Sequence, residues 1–218
     1  MLTEEIETNE ITEDLFLKYR VENFTKRINV KIKGKSPYLF CSPEYLKEQD
    51  ETKTSKLSSV KLTRIEEAKQ SLYWNKDKTS LMTPATCVKR CLSDAANPYK
   101  IGKASVGVTF SKISEITPAE LLFNTTKYEI DSRRACPPGA SRSGSKPSII
   151  RSRACIFPWE LSFTINYDSR YLMPKFMEGQ FIQLVVDAGN LQGLGAFAPR
   201  HRGGPFGKFD LIEYIINK

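Results

Sequence analysis

Apolar and polar residues alternate along several stretches of this chain, and such alternation is typical of a β-strand with one buried face. In the first stretch Ile28, Val30 and Ile32 share one face, and the pattern ends at Gly34. The other stretches that we predict as strands are KDKTSLMTP at 76–84, ASVGVTFSKI at 104–113, LLFNTTKYEID at 121–131, ELSFTINYD at 160–168 and KFDLIEYII at 208–216.

Three further stretches have the composition and boundary residues of helices. RIEEAKQSLYW at 64–74 predicts a short helix. A second helix is expected at 84–96, where Pro84 opens it, and a third at 174–190, which also begins with a proline. Two of these helices separate the strands in the order β-α-β-β-α-β. This order predicts an α+β, ferredoxin-like (RRM-like) antiparallel sheet with its helices on one face.

The charge of the chain is divided unevenly along its length. The net charge is +8, but residues 1–24 hold seven acids and two bases, which leaves 31 bases and 18 acids, or +13, in the remainder. We therefore expect an acidic tail or docking helix at 1–24 and a single domain at 25–218. Within that domain we expect an inserted lysine-rich loop at 47–63 and a basic hairpin at 131–160. A basic body of this kind favours a polyanionic partner, with nucleic acid first.

Two segments of the basic body contain no acid at all. The stretch from Arg133 to Trp159 has six bases, and the glycine-rich loop Gly193–Lys208 holds five of the twelve glycines. With mobile cations of this kind, we expect the two segments to bind a sugar-phosphate backbone together. The residues that we expect to bind nucleic acid are Arg133, Arg134, Arg142, Lys146, Arg151, Arg153, Arg200, His201, Arg202, Lys208, Gly193, Gly195, Gly203 and Gly204.

The glycine-rich loop differs from the phosphate-binding loops of nucleotide-dependent enzymes. It lacks the GxxxxGK[ST] spacing, and it precedes a strand, whereas those loops lead from a strand into a helix. Its glycines can instead bring backbone N–H groups close to a phosphate or to another backbone. A plain glycine-rich turn is the alternative. Phe197, Phe206 and Tyr38 are candidates either for stacking on bases or for the core.

His201 is the only histidine, and it raises the alternative of a metal-independent endoribonuclease. No nucleophile or acid lies beside it by spacing, so a phosphate contact is expected and no catalytic residue is assigned. Cys87 and Cys91 lie four apart, but no CxxC pair exists, so neither a metal nor another cofactor is expected. No apolar run reaches the length of a membrane helix, and the acidic start is unlike a signal peptide. A cytoplasmic protein without a membrane partner is expected.

Three segments resemble the RAMP superfamily, the ferredoxin-like proteins that form backbone subunits of CRISPR effector complexes. They are IKGKSPYLF at 32–40, TPATCVKRCL at 83–92 and GLGAFAPRHRGGPFGKF at 193–209. The likeness covers roughly residues 28–216 and is strongest to uncharacterised phage-encoded members. The processing ribonucleases of the superfamily often use a histidine near the first helix, whereas His201 lies in the glycine-rich loop.

The resemblance implies a non-catalytic protein that binds single-stranded nucleic acid, RNA before DNA. It also implies a homo-oligomer or filament along the strand, in which the hairpin reaches the next subunit, located in the host cytoplasm if the protein is phage-encoded. Two alternatives remain open at this point: the endoribonuclease that uses His201, and a phage structural or assembly protein with acidic protein partners.

Overall fold

The computed structural model describes residues 25–42, 62–101, 103–135, 149–168, 179–201 and 203–217. A π-helical turn at Ala188–Gln192 extends the last helix toward the glycine-rich loop. In chain order the elements are β1 Thr25–Gly34, β2 Tyr38–Leu39, α1 Arg64–Gln70, β3 Met82–Pro84, α2 Ala85–Ala96, β4 Lys100–Ile101, β5 Ala104–Ser105, α3 Val106–Ile113, β6 Ser114–Thr117, β7 Glu120–Leu122, β8 Glu129–Ala135, β9 Ile149–Ile156, β10 Glu160–Asp168, α4 Gly179–Asp187 and β11 Phe209–Asn217.

A four-stranded antiparallel sheet in the order β11-β1-β10-β6 forms the centre of the fold. Ile28 pairs with Ile165 and Val30 with Phe163, and all four side chains are buried, as the alternation predicts. Along the chain, α2 lies between β1 and β6, and α4 lies between β10 and β11. This is the split βαβ topology of the ferredoxin-like fold, so the predicted fold class is confirmed.

Helices α2 and α4 pack on one face of this sheet. Val88 and Leu92 of α2 and Leu184 of α4 are buried in the same core as the strands. The ring of Phe181 stacks on that of Tyr167 in β10, with centroids 4.8 Å apart and an interplanar angle of 26°. Full burial of a large apolar side chain contributes about 1.5–3 kcal/mol. Packing on the sheet therefore stabilises these helices more than their intrinsic propensity does.

A second antiparallel sheet, in the order β2-β9-β8, continues the pairing of β1 with β10 beyond a turn. The N–H of Gly34 donates to the carbonyl of Trp159 at 2.9 Å at the junction of the two sheets. A side chain at Gly34 has no room, since its Cβ would lie 2.2 Å from Nε1 of Trp159. Strands β8 and β9 form the arms of the predicted basic hairpin, whose tip at 136–148 lies outside the described residues.

The prediction of a strand at 104–113 is wrong. Only β5 is extended there, and α3 begins at Val106. The hydroxyl of Ser105 accepts a hydrogen bond from the N–H of Gly107 at 3.3 Å and so caps the helix. Val106 and Phe110, four residues apart, are buried, whereas Val108 is exposed. The helical period therefore decides which residues are buried, although the apolar residues also alternate.

The prediction of a single strand at 121–131 is also wrong. This stretch contributes to two strands in different sheets, since β7 pairs with β3 and β8 pairs with β9. Asn124, between them, has a φ of 53°, in the left-handed region that an extended strand does not use.

Helix α1 begins one residue after Thr63. The Thr63 hydroxyl accepts from the N–H of Glu66, and the Glu66 carboxylate accepts from the N–H of Thr63 at 2.8 Å, which forms a capping box. The helix ends at Gln70, four residues before the predicted end. The predicted acidic tail at 1–24, residues 47–61 of the predicted loop and the start of the helix predicted from Pro174 lie outside the described residues. No helix in the described part is long and apolar enough to cross a membrane.

Candidate nucleic-acid interface

The glycine-rich loop is held at both ends against the turn and strand that follow β1. The N–H of Ala196 donates to the carbonyl of Leu39 at 2.9 Å, and the N–H of Gly207 donates to that of Pro37 at 2.9 Å. Within the loop, the N–H of Leu194 donates to the carbonyl of Gly207 at 2.9 Å. These backbone bonds fix the loop on β2, so it is a packed element of the fold and more than a connection between α4 and β11.

Three of its glycines are required by close approach of one backbone to another. A Cβ on Gly195 would lie 2.4 Å from the carbonyl oxygen of Leu39, one on Gly204 would lie 1.8 Å from that of Phe197, and one on Gly207 would lie 1.7 Å from that of Leu194. Gly203 differs, since its φ is +74° and nothing lies within 4 Å of a Cβ there. Of the four glycines predicted to bind nucleic acid, Gly203 therefore has open space around it, whereas Gly195, Gly204 and Gly193 approach other parts of the protein.

The loop meets the hairpin through two stacked arginines. The register pairs Asp131 with Arg153 and Arg133 with Arg151, which puts these four side chains on one face of β8 and β9. The guanidinium carbon of Arg133 lies 4.3 Å from the centroid of the Phe206 ring. That of Arg153 lies 6.0 Å from the Phe197 ring. The two basic segments predicted from the sequence are thus in contact.

A small apolar cluster separate from the main core supports this contact. Leu39 of β2, Cys155 of β9, and Ala196 and Phe206 of the loop are buried together, and Phe197 packs against them. The two phenylalanines therefore serve partly as packing residues, which leaves the exposed portion of Phe197 for any stacking on a ligand. Tyr38 lies fully buried in the main core, where its hydroxyl donates to Thr83 at 2.9 Å, so it is not available to stack on a base.

Arg151 is engaged by a carboxylate of α1. Its Nη1 lies 3.1 Å from Oε1 of Glu67, and the N–H of Ser152 donates to the other carboxylate oxygen at 2.8 Å. The side chains of Arg151 and Glu67 are 26% and 11% exposed. This pair joins α1 to the hairpin, and it directs Arg151 away from the role that its basic sequence neighbourhood predicts.

Arg153 is held to the carbonyl of Phe40, to which its Nη1 donates at 3.2 Å. Arg133 is held by the carboxylate of Asp131 at 2.6 Å and 3.1 Å. Arg134 is exposed, and Lys208 uses its backbone N–H to donate to the hydroxyl of Ser36 at 2.9 Å. The predicted contacts Arg142, Lys146 and Arg202 lie outside the described residues.

Arg200 and His201 lie where the loop passes helix α2. The N–H of Arg200 donates to the carbonyl of Gln192 at 3.1 Å, and its Nε donates to Nε2 of His201 at 3.2 Å. The thiol of Cys91 in α2 donates to the carbonyl of Gly193 at 3.3 Å, which fixes the start of the loop on that helix. The Nη1 atom of Arg200 is buried and has no hydrogen-bond partner among the described residues.

The electrostatic potential at His201 is positive. Burial lowers the pKa of His201, and the guanidinium groups of Arg200, Arg90 and Arg153 lower it further, while Asp94 opposes them. Burial raises the pKa of Cys91 to about 12, and that of Cys87 is raised by the same cause. Both thiols are therefore protonated at neutral pH and are not nucleophiles.

Comparison with known proteins supports the fold. No family model matches the chain, and no curated protein matches it. Among solved structures 60 chains match, including a chain of the cryo-EM structure of the type III-B Cmr-beta bound to cognate target RNA, with a TM-score of 0.51 and 13% identity. At this identity the likeness is one of fold alone. The match covers 94% of this chain and 65% of that one, so this chain spans less than two thirds of its neighbour's length.

The other face of the central sheet is not covered by α2 or α4. The side chains that β1 and β10 present there include Asn29, Lys31, Ser162 and Thr164, and the hydroxyl of Thr164 donates to Asn29 at 2.8 Å. Along the described strands this face carries no aromatic side chain. The described part of this face therefore offers no stacking platform for bases.

Arg90 is a basic residue beside the candidate interface that is not among the residues predicted from the sequence. It lies on α2, its side chain is 79% exposed, and its field reaches His201. In the sequence Arg90 is one arginine in an ordinary amphipathic helix, so the helical period is the only signal for its position. By that period Cys91 faces the loop, and its neighbour Arg90 lies beside it at the surface.

Among the described residues, no group of three or more His, Cys, Asp or Glu side chains is arranged to hold a metal ion.

Proposed function

We propose that this chain binds single-stranded nucleic acid, RNA before DNA, through its backbone and without catalysing a reaction on it. One observation carries the proposal: the glycine-rich loop and the hairpin, distant in sequence, are joined by the contact of Arg133 with Phe206. Basic groups from both segments, among them Arg153 and Arg200, are thereby brought to one side of the domain. Cations arranged on one surface neutralise successive phosphates of a strand.

Two features support backbone binding over base readout. The positive charge around Arg200 has few local acids to balance it, and the uncovered face of the sheet lacks aromatic side chains along its described strands. Backbone binding of this type is sequence-tolerant and depends strongly on salt. RNA is placed before DNA because a structural neighbour is a chain of Cmr-beta bound to target RNA.

Assembly along the strand extends this proposal. In it, copies of the single domain at 25–218 bind side by side as a homo-oligomer or filament, and the hairpin at 131–160 contacts the next copy. A phage origin, and with it a location in the host cytoplasm, stays a prediction from the sequence resemblance.

Fluorescence anisotropy with labelled oligonucleotides tests the proposal. Single-stranded RNA, single-stranded DNA and duplex DNA of one length are compared at low salt, each with the full chain. The proposal expects binding in the order RNA, single-stranded DNA, duplex. Undetectable binding of every single strand at low salt, or preference for the duplex, would overturn it.

The same samples run on a denaturing gel test the endoribonuclease alternative. Wild-type protein that leaves the RNA intact agrees with the proposed function. Cleavage that is abolished in His201→Ala would replace it with an enzymatic one. A complex with an acidic protein that survives nuclease treatment, together with an absence of RNA binding, would favour the structural alternative.

A further inference from the structure

Three guanidinium groups from three different elements act on the single histidine: Nε of Arg200 lies 3.2 Å from its ring, and Arg153 lies 6.0 Å from the ring of Phe197 in the same loop. Arg200 comes from the glycine-rich loop, Arg90 from α2 and Arg153 from β9, and each lowers the pKa of His201. The thiol of Cys91 in α2 donates to the carbonyl of Gly193 at the start of the loop, and the N–H of Arg200 donates to the carbonyl of Gln192 beside it at 3.1 Å. Helix α2 and the loop are therefore in contact at the position of Arg90.

The local acids balance this charge only in part. Asp131 lies opposite Arg153 in the register of β8 and β9, but its carboxylate accepts from Arg133. Asp94 on α2 is the carboxylate whose field reaches His201, and it already lies 3.8 Å from Nε of Arg90. The thiols of Cys87 and Cys91 are neutral, because burial raises the pKa of both. Like charges that act on one point raise each other's free energy, so an anion that binds among them is stabilised.

Such an anion would supply a partner for one donor of Arg200. Its Nη1 atom is buried and has no hydrogen-bond partner among the described residues. A buried donor without a partner is unfavourable by about 1–3 kcal/mol, more when it is charged. Planar guanidinium groups are well suited to bind the oxygens of a tetrahedral oxyanion.

We propose that Arg90, Arg153, Arg200 and His201 form a site for one tetrahedral oxyanion, and that His201 takes up a proton when the anion binds. The inference rests on the proposed function in that the natural anion is a phosphate of the bound strand. It goes beyond it by fixing where one phosphate binds and by making binding depend on pH.

The hydrogen bond between Arg200 and His201 explains why the histidine takes up a proton only when an anion binds. Because Nε of Arg200 donates to Nε2 of His201 at 3.2 Å, that nitrogen is an acceptor and the imidazole is neutral in the unliganded protein. A bound anion favours the imidazolium, whose proton comes from solvent. The protonated ring then donates to an anion oxygen in place of accepting from Arg200.

Anion binding is coupled to the uptake of a proton by His201. Without a ligand the pKa of His201 lies below its usual 6.5, and with an anion it is higher. Between the two values binding takes up one proton, so affinity falls as the pH rises, by at most about tenfold per pH unit for a single proton. Above the higher value the dependence ends.

NMR of the histidine ring tests the site directly, since the full chain holds one histidine and its signal is unambiguous. The ring is titrated from acid to neutral pH in chloride and in sulfate at equal ionic strength. Sulfate is the probe because it stays fully ionised over this range. We expect the midpoint to lie below 6.5 in chloride and to rise in sulfate.

Two matched variants locate the site. Arg90→Ala should raise the midpoint in chloride and reduce the rise caused by sulfate, because one cation is lost. Arg64→Ala, which removes an exposed arginine from α1, should behave like the wild type. A midpoint that is equal in chloride and sulfate, or an equal effect of the two variants, would overturn the site.

Anisotropy with single-stranded RNA on the same proteins separates the two proposals. RNA binding with no response of His201 to sulfate or to RNA overturns the site and leaves the proposed function standing. A sulfate response without RNA binding supports the oxyanion site and overturns the proposed function.

Discussion

The guanidinium carbon of Arg133, in the hairpin, lies 4.3 Å from the centroid of the Phe206 ring, in the glycine-rich loop. The carboxylate of Asp131 accepts from Nε of the same guanidinium at 2.6 Å. This contact joins two segments that are each basic and free of acid in the sequence. Arg133 is therefore first a residue that fixes the loop on the hairpin, and the contact is the most direct target for mutation.

Replacing the ring tests that contact. Phe206→Leu removes the stacked face while keeping an apolar side chain, so we expect the free energy of unfolding to fall by about 1–2 kcal/mol. RNA affinity should fall as well, because the loop loosens. Urea denaturation measures the first effect, with Phe157→Leu as control, since Phe157 is 58% exposed. Equal stability of both variants and the wild type would show that the stacking is not significant.

The close backbone approach in the loop gives a second prediction. A Cβ on Gly204 would lie 1.8 Å from the carbonyl oxygen of Phe197, so Gly204→Ala forces the loop apart. We expect a loss of about 1–3 kcal/mol, the usual effect of overpacking. Gly179→Ala is the matched control: nothing lies within 4 Å of a Cβ there. As a glycine-to-alanine change in a helix, it should be neutral or stabilising by up to about 1 kcal/mol. The account is contradicted if Gly204→Ala is tolerated equally well.

The pair of Glu67 with Arg151 gives a third prediction. Glu67→Gln leaves a partly buried guanidinium and the N–H of Ser152 with a weaker partner, and we expect a loss of about 1–3 kcal/mol in the free energy of unfolding. Its control is Glu160→Gln, which removes an exposed partner of Lys31 and should change stability less. Chemical denaturation decides between them, and a larger effect at Glu160 would be the contrary result.

The pH dependence of stability gives a fourth prediction. Burial, with Arg200, lowers the pKa of His201 in the folded chain below its value of 6.5 in the unfolded chain. Between these values the unfolded chain binds more protons, so the free energy of unfolding rises as the pH increases toward 6.5. RNA affinity should change in the opposite direction. Urea midpoints measured across this range should rise less steeply for His201→Gln than for the wild type, and identical pH profiles would exclude the effect.

The fold follows closely from the sequence where one face of an element is buried. Ile28, Val30 and Ile32 alternate because β1 lies in the middle of a sheet with its helices on one face, so pattern and structure agree. The error at 104–113 has a local cause, because Val106 and Phe110 satisfy both periods and the capping role of Ser105 decides for a helix. The N-cap residue Ser105 is thus the sequence signal that favours a helix over a strand at 104–113.

The candidate interface is harder to predict from the sequence than the fold is. The two basic segments are visible in the sequence and the structure brings them into contact, but the sequence cannot show which glycines face another backbone. Gly195 and Gly204 are predicted as binding residues, yet each is explained by a nearby carbonyl. The pairing of Arg151 with Glu67 and the approach of Arg90 to His201 arise only from the tertiary fold.

The salt dependence of RNA binding tests the central claim most directly. Anisotropy of a labelled single-stranded RNA is followed as salt rises for the wild type, for Arg200→Gln and for Arg27→Gln, an exposed arginine of β1. We predict binding that weakens steeply with salt and, for Arg200→Gln at an unchanged urea midpoint, lower affinity and a slope smaller by about 0.7, the value for one phosphate contact on a single strand. Arg27→Gln should match the wild type. Absent binding at low salt, affinity that does not change with salt, or equal losses in both variants would contradict the account.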